Sequence, residues 1–412
     1  MILFDRFELE NGLKVLVHTD DTTPLAAVNI LYQVGARNEK PDRTGFAHLF
    51  EHLMFGGSVN IPNYDQPLQL VGGENNAYTT SDITNYHVTL PSENIETAFW
   101  LESDRMLSLA FTDKSLEVQR SVVIEEFRQR YLNQPYGDVW LHLRPLAYKV
   151  HPYSWATIGK DESHISGATI EMVKDFFFSW YAPNNAIMVV TGNVKTGEIK
   201  KLATKWFGDI PQRKLSDLNI PQEPEQTETR RLVLERKVPM NALYIAFQMP
   251  GRMHNDYKAV DILSDLLGNG KSSRLFRSLV MEKKIFGDME SYITGSIDTG
   301  LLIVEGRVNS GITFENAEAA VFEVIQDLLQ TVSERELTKI KNKAEATLVF
   351  SYTDILNKAT NLAFFEMLGD ASLINTELEG YQQVSLADLK RCIEKYLRIE
   401  NASILYYKSI NE

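Results

Sequence analysis

"GFAHLFEHLMFGGS", residues 45–58, sets His48 and His52 four positions apart with Glu51 between them. Apolar residues fall at 46, 49, 50, 53 and 54, which is helical periodicity, and "PDRTG" just before is a suitable helix start. On a helix, positions i and i+4 share a face. Two imidazole nitrogens can therefore reach one point, with the Glu51 carboxyl beside it. Zinc takes imidazole nitrogen well, and a catalytic zinc uses three protein ligands and keeps one open position. Two histidines and a glutamate on an otherwise apolar helix are also costly to bury without a partner. The stretch predicts a metal site rather than packed core histidines, and it requires a third ligand.

A second helix can supply that ligand. "SLEVQRSVVIEEFRQRYLN", residues 115–133, reads as helical, with the acidic pair Glu125 and Glu126 in its middle. Neighbours on a helix point about 100° apart, so one of the two should face the metal. Spacing alone does not choose between them, and taken by itself an acidic pair is usually a solvated surface feature.

The rest of the chain bounds what such a site could serve. At 412 residues it is too long for one core, so two domains of about 200 residues each are expected. It is 44% hydrophobic and 24% charged, the balance of an ordinary globular protein. Its net charge is −13, with no basic stripe interleaved with aromatics, which argues against nucleic acid as a partner. Cys392 is the only cysteine; a disulfide within the chain is impossible, which suits a reducing compartment. No apolar run reaches membrane-spanning length. The start, "MILFDRFELENGLKV", lacks the apolar core of a signal peptide. A cytoplasmic protein is expected, unless a leader has been trimmed.

The clearest break is "GDIPQRKLSDLNIPQEPEQTETRR", residues 208–231, which is charged, proline-bearing and aperiodic, and reads as a linker. This gives an N-terminal domain at 1–207, a linker at 208–229 and a C-terminal domain at 230–412. Both halves open alike, with strands at 13–18 and 26–34 and again at 231–236 and 242–250, each pair followed by a helical run. Both also close alike, with a helix then a strand at 169–194 and at 385–410. The expected fold is α+β: two similar domains, each a mostly antiparallel sheet packed with helices, arising by internal duplication.

His48-x-x-Glu51-His52, with a glutamate 74 residues after His52, resembles the inverted zinc motif of the M16 metallopeptidases, the family of pitrilysin, insulin-degrading enzyme and the mitochondrial processing peptidase. "GGENNAYTTSDITNYHVTLP" (72–91), "RSVVIEEFRQ" (120–129), "HPYSWATIG" (151–159) and "WYAPNNAIMVVTGNV" (180–194) are similar to the family in its own order, and "LLGNGKSSRLFRSLVMEKKI" (266–285) and "DTGLLIVEGRV" (298–308) more loosely. The resemblance implies that zinc is held by His48, His52 and Glu126, the second glutamate of the acidic pair, with Glu125 as the fallback. It implies an auxiliary glutamate two turns before Glu126, where this chain has Gln119. Glutamine retains hydrogen bonding without the charge.

The implied chemistry is zinc-dependent endopeptidase action on short or unfolded peptides in a closed chamber. Zinc acidifies water and polarises the carbonyl, and Glu51 takes the proton and passes it to the leaving amine. Residues 75–91 alternate between Gly72–Gly73 and Pro91 as a hairpin or edge strand would. An edge strand can accept a peptide through main-chain bonds, and the resemblance assigns that role to Asn76, Ala77, Tyr78 and Thr79. His87, His142, His151 and His164 lack a ligand-like arrangement and are expected to be structural.

The chain departs from the family in its second half. Active members usually carry an arginine and a tyrosine, seven apart, that hold the substrate carbonyl and the developing oxyanion. Val280 or Met281 and Gly287 or Asp288 stand at those places, while Arg274, Arg277 and Tyr292 lie near but at other spacings. A dimer is expected, with a heterodimer in which a zinc-less M16 paralogue supplies the missing pair placed ahead of a homodimer. The rival readings are a non-catalytic assembly subunit, against which the complete ligand set argues, and a weakly active peptide-binding module.

Overall fold

The computed structural model describes residues 1–410. Among them, eleven strands form two sheets. The first sheet uses β1 (Asp5–Glu8), β2 (Lys14–Thr19), β3 (Leu25–Tyr32), β4 (Glu74–Thr79), β5 (Thr84–Pro91) and β6 (Ala186–Gly192), in the order β1-β2-β6-β3-β5-β4. The second uses β7 (Arg230–Arg236), β8 (Asn241–Met249), β9 (Phe286–Ile293), β10 (Gly300–Val308) and β11 (Ala402–Ser409), in the order β7-β11-β8-β10-β9. With β1 set aside, the two orders are the same permutation. β2 pairs parallel with β6 as β7 does with β11. The remaining pairs, β6–β3, β3–β5 and β5–β4 in one sheet and β11–β8, β8–β10 and β10–β9 in the other, are antiparallel. The duplication read from the sequence is thus a repeat of sheet topology.

Each sheet lies between helices because its strands are apolar on both faces. In β8, Leu243, Ile245 and Phe247 point into one core and Ala242, Tyr244 and Ala246 into another, the period-two alternation of a strand. The cores do not respect chain order. The chain divides into one compact unit of residues 1–128, 155–220 and 349–376 and another of 129–154, 221–348 and 377–412. The Val139–Ala147 helix comes from the N-terminal half, yet its Val139, Leu143 and Ala147 cover the second sheet at Tyr244, Leu301 and Leu405. The Ile355–Met367 helix comes from the C-terminal half, yet its Ala359, Leu362 and Ala363 cover the first sheet at Leu16, Leu31 and Val189. The division at 207 and 230 therefore follows the duplicated halves rather than the compact units. An apolar helix face specifies that it will be buried, not which of two similar sheets buries it.

The expected linker is anchored along part of its length. Residues 211–229 carry no regular element, but Glu223 and Gln226 are buried. The Glu223 carboxylate accepts from the consecutive backbone N–H groups of Lys149 (2.7 Å), Val150 (3.0 Å) and His151 (2.9 Å). Gln226 donates to Ala402 O and accepts from Ser403 Oγ. The end of this segment is fastened to the second unit rather than free.

Candidate metal centre

The helix α1 spans Phe46–Phe55, the stretch its periodicity predicts. Its apolar face buries Phe46, Leu49, Phe50, Leu53 and Met54. The Phe50 ring stacks on Tyr181 at 5.0 Å and 25°, and Phe55 lies 6.1 Å from Tyr86 of β5. This seating turns His48, Glu51 and His52 to the other side, where all three are half-buried. A second helix, α2 (Asp113–Phe127), packs alongside α1. It is capped by the Thr112 hydroxyl on Ser115 N and carries the acidic pair.

Glu126 Oε2 stands 3.6 Å from His48 Nε2 and 3.3 Å from His52 Nε2. The two imidazoles meet edge-on, with ring centroids 4.9 Å apart at 88°, and one donor atom from each of the three residues lies within 4.8 Å of the other two. Among the described residues no other group of histidine, cysteine or carboxylate side chains meets that criterion. Glu125 is exposed and outside the group, as the turn of about 100° between helical neighbours requires.

The donor set fits zinc. With bonds of about 2.0–2.2 Å, adjacent ligands of a tetrahedral zinc lie roughly 3.4 Å apart, which the two histidine–glutamate separations bracket. Two imidazole nitrogens and a carboxylate oxygen are also a common zinc ligand set. Without a proton or cation between them, the lone pairs of these three atoms would repel.

Glu51 is held from the sheet. Its Oε2 accepts from the Thr79 hydroxyl at 2.6 Å. Burial pushes the Glu51 carboxyl above the usual carboxylate range and the Glu126 charge adds to this, while the Thr79 bond and His52 oppose it. Thr79 closes β4, which ends the first sheet and pairs only with β5, with Asn76 opposite His87, Ala77 opposite Tyr86 and Tyr78 opposite Asn85. The edge-strand expectation for residues 76–79 therefore matches the topology. The Ala77 N–H is engaged by Asn76 Oδ1 at 2.8 Å. Gln119 lies on α2 two turns before Glu126, and a Cβ added to Gly56 would sit 3.7 Å from its Nε2. It borders the end of α1 and is not a member of the donor group.

Of the other histidines read as structural, His142, His151 and His164 have protein partners. Burial, with Arg105 nearby, lowers the pKa of His87. His142 Nε2 is 3.3 Å from Asp138, and His151 Nδ1 accepts from Tyr153 N at 3.1 Å. His164 Nδ1 accepts from Thr44 N at 3.1 Å. Sequence reasoning missed the buried pair behind the site: Arg105 and Glu102 form a two-bond salt bridge at 2.8 and 2.6 Å. The Arg105 guanidinium lies over Tyr86 (4.4 Å), Tyr64 (4.6 Å) and Phe55 (5.5 Å), the last residue of α1. The visible signal was "LESDRM", charges at i and i+3 within an apolar helical run.

In the second half, two of the three side chains near the missing arginine and tyrosine are committed elsewhere, while the Arg277 side chain is 68% exposed, with Glu282 3.9 Å away. Arg274 donates to Glu336, Asp327 and Thr331, and the Tyr292 hydroxyl donates to Glu305 at 2.9 Å. Met281 is 62% exposed, and Asp288 accepts from Arg307 N across the β9–β10 pair.

Comparison with known proteins identifies the family. Zinc protease PqqE of Helicobacter pylori is 28% identical over 409 residues, covering 97% of this chain and 91% of that protein. The crystal structure of a protease from Helicobacter pylori superposes with a TM-score of 0.93 at 28% identity, over 99% of this chain and all of that one. A peptidase M16 inactive domain from Pseudomonas fluorescens shares the fold with a TM-score of 0.88 at 18% identity, covering 100% of this chain and 98% of that one. Residues 14–159 match the family model described as insulinase (peptidase family M16), and residues 167–344 match the one described as peptidase M16 inactive domain. With the zinc-type donor group in the first half, no equivalent among the described residues of the second and both halves matched to one family, the chain belongs to the M16 peptidases.

Proposed function

We propose that this chain is a zinc-dependent endopeptidase that cleaves short or unfolded peptides. The observation that carries the reading is the convergence of His48, His52 and Glu126 from two helices onto one point, with the Glu51 carboxyl beside it. His48, His52 and Glu126 would hold the zinc. When bound, zinc supplies Lewis-acid chemistry, polarising a peptide carbonyl and making water more acidic. Glu51 accepts the proton of the attacking water and delivers it to the leaving amine, and the Thr79 hydroxyl fixes the carboxylate for that transfer. The free edge of β4 receives the peptide as an added strand, through main-chain bonds that impose little sequence preference. Asn76 Oδ1 leaves the Ala77 N–H when the peptide arrives. A second chain closes the chamber around the site.

The test is peptide cleavage by the wild type, by Glu51→Gln and by the wild type with a chelator. Glu51→Gln should lose at least about 10²-fold in kcat while keeping its zinc, and the chelator should abolish turnover reversibly. Undiminished cleavage by Glu51→Gln removes the base from the mechanism. The commitment of Arg274 and Tyr292 to other partners favours one alternative, a chain that binds peptides and turns over slowly on its own. Slow turnover that no added chain accelerates would select it.

A further inference from the structure

Glu39 is only 6% exposed, and the groups that bear on its carboxyl are backbone N–H groups at the start of α1 and the Trp155 indole rather than a cation. Its carboxylate is turned to the start of α1: Oε2 accepts from Gly45 N at 2.9 Å and Oε1 from Ala47 N at 2.8 Å. Burying a carboxylate without a cation is costly, so its place calls for a reason.

The reason lies at the helix start. The first-turn N–H groups of any helix have no partner within it, and a Ser, Thr, Asp or Asn at the N-cap usually satisfies one of them. Here the N-cap is Gly45, at φ +88°, and a Cβ built there would meet Ile158 O at 2.6 Å. Neither the conformation nor the space admits a capping side chain. Glu39 supplies the missing acceptors from outside, one oxygen to each of two N–H groups. Its own segment is tied down by the Trp155 indole N–H, which donates to Ala36 O at 3.0 Å. On the other side of Gly45, Thr44 N donates to His164 Nδ1 at 3.1 Å, and Lys160 N donates to Thr44 Oγ1 at 3.0 Å. His48 is the third residue of α1, next to Ala47, whose N–H Glu39 holds.

We propose that Glu39 is a positioning residue for the metal centre, a buried clamp on the first turn of α1 that sets where His48 stands relative to Glu126. The inference rests on the zinc reading above. Glu39→Gln preserves the shape but offers one acceptor where two are needed, and turns an NH₂ group toward a backbone N–H. The full-length variant should bind zinc about 10- to 100-fold more weakly, the range seen when outer partners of metal ligands are removed. Its cobalt-substituted form should show a changed visible absorption spectrum, and its kcat should fall more than its KM rises.

Thr313→Ala is the control. It deletes an ordinary cap, Thr313 Oγ1 on Asn316 N at 3.2 Å, in the other compact unit, and should lower the melting temperature without moving zinc affinity or the cobalt spectrum. If wild type binds zinc and Glu39→Gln binds it equally well with an unaltered spectrum, Glu39 is a structural cap only and the proposal is overturned. If wild type itself binds no zinc, the zinc reading fails instead. Should Glu39→Gln not fold, Trp155→Phe loosens the same segment by deleting the indole bond. Unchanged zinc affinity in Trp155→Phe would equally overturn the clamp.

Discussion

Thr79 shows how one side chain ties the chemistry to the sheet. Its backbone belongs to the edge strand, and its hydroxyl donates to Glu51 at 2.6 Å. A hydrogen bond to a charged group contributes about 1.5–3 kcal/mol, so Thr79→Val, nearly the same shape without the hydroxyl, should lower kcat about 10- to 100-fold. Zinc content and KM should hold, and Thr79→Ser should restore the rate. A Thr79→Val enzyme at full rate would show that the hydroxyl does not orient the base. At this scale the sequence was informative where spacing decides geometry. His48, Glu51 and His52 sit three and four apart on a helix, so their common face was legible. Glu126 was not separable from Glu125 by spacing; that choice came from family resemblance, and the side-by-side packing of the two helices agrees with it. Thr79 was assigned to the peptide, because where a hydroxyl points at the end of a strand depends on contacts with a helix 28 residues away in the chain.

The element that most departs from chain order is the Ile355–Met367 helix, which covers the first sheet although it belongs to the C-terminal half. It is fastened by an ion pair between Lys358 and Asp20 that is nearly closed to solvent, with side-chain exposures of 12% and 10%. The hydrogen bond from Lys358, helped by Thr22, holds the Asp20 carboxyl at about 2, below its ordinary 3.8. A carboxyl lowered in the folded state adds stability above its unfolded value and loses it as pH falls through the folded one. Lys358→Met should therefore melt about 5 °C lower than wild type at pH 7, and the gap should narrow between about pH 4 and pH 2. A gap independent of pH would place the effect in packing rather than charge. The helix itself was visible in the sequence as an apolar face. Its destination was not, because two sheets of like topology offer like surfaces.

For the molecule as a whole, the duplication was legible because each half opens on two strands and closes on a helix and a strand, and that order recurs in both sheets. What the second half lacks matters as much. With Val280 or Met281 and Gly287 or Asp288 at the places where the family resemblance puts the arginine and tyrosine, and with Arg274 and Tyr292 spoken for, we propose that transition-state stabilisation from this chain alone is incomplete. We expect slow turnover by the isolated chain. A two-domain relative that has the arginine–tyrosine pair but no zinc motif should raise kcat at least about 10²-fold, the usual weight of one oxyanion donor, and sedimentation should show a heterodimer. Full turnover by the isolated chain would contradict the shared-site arrangement.

Everything above depends on three side chains holding one ion, and zinc stoichiometry by elemental analysis tests this most directly. The wild type and Glu125→Gln should each retain one zinc per chain after dialysis, and Glu126→Gln should lose it. A zinc-free wild type, or a Glu126→Gln chain as fully loaded as the wild type, would contradict the account.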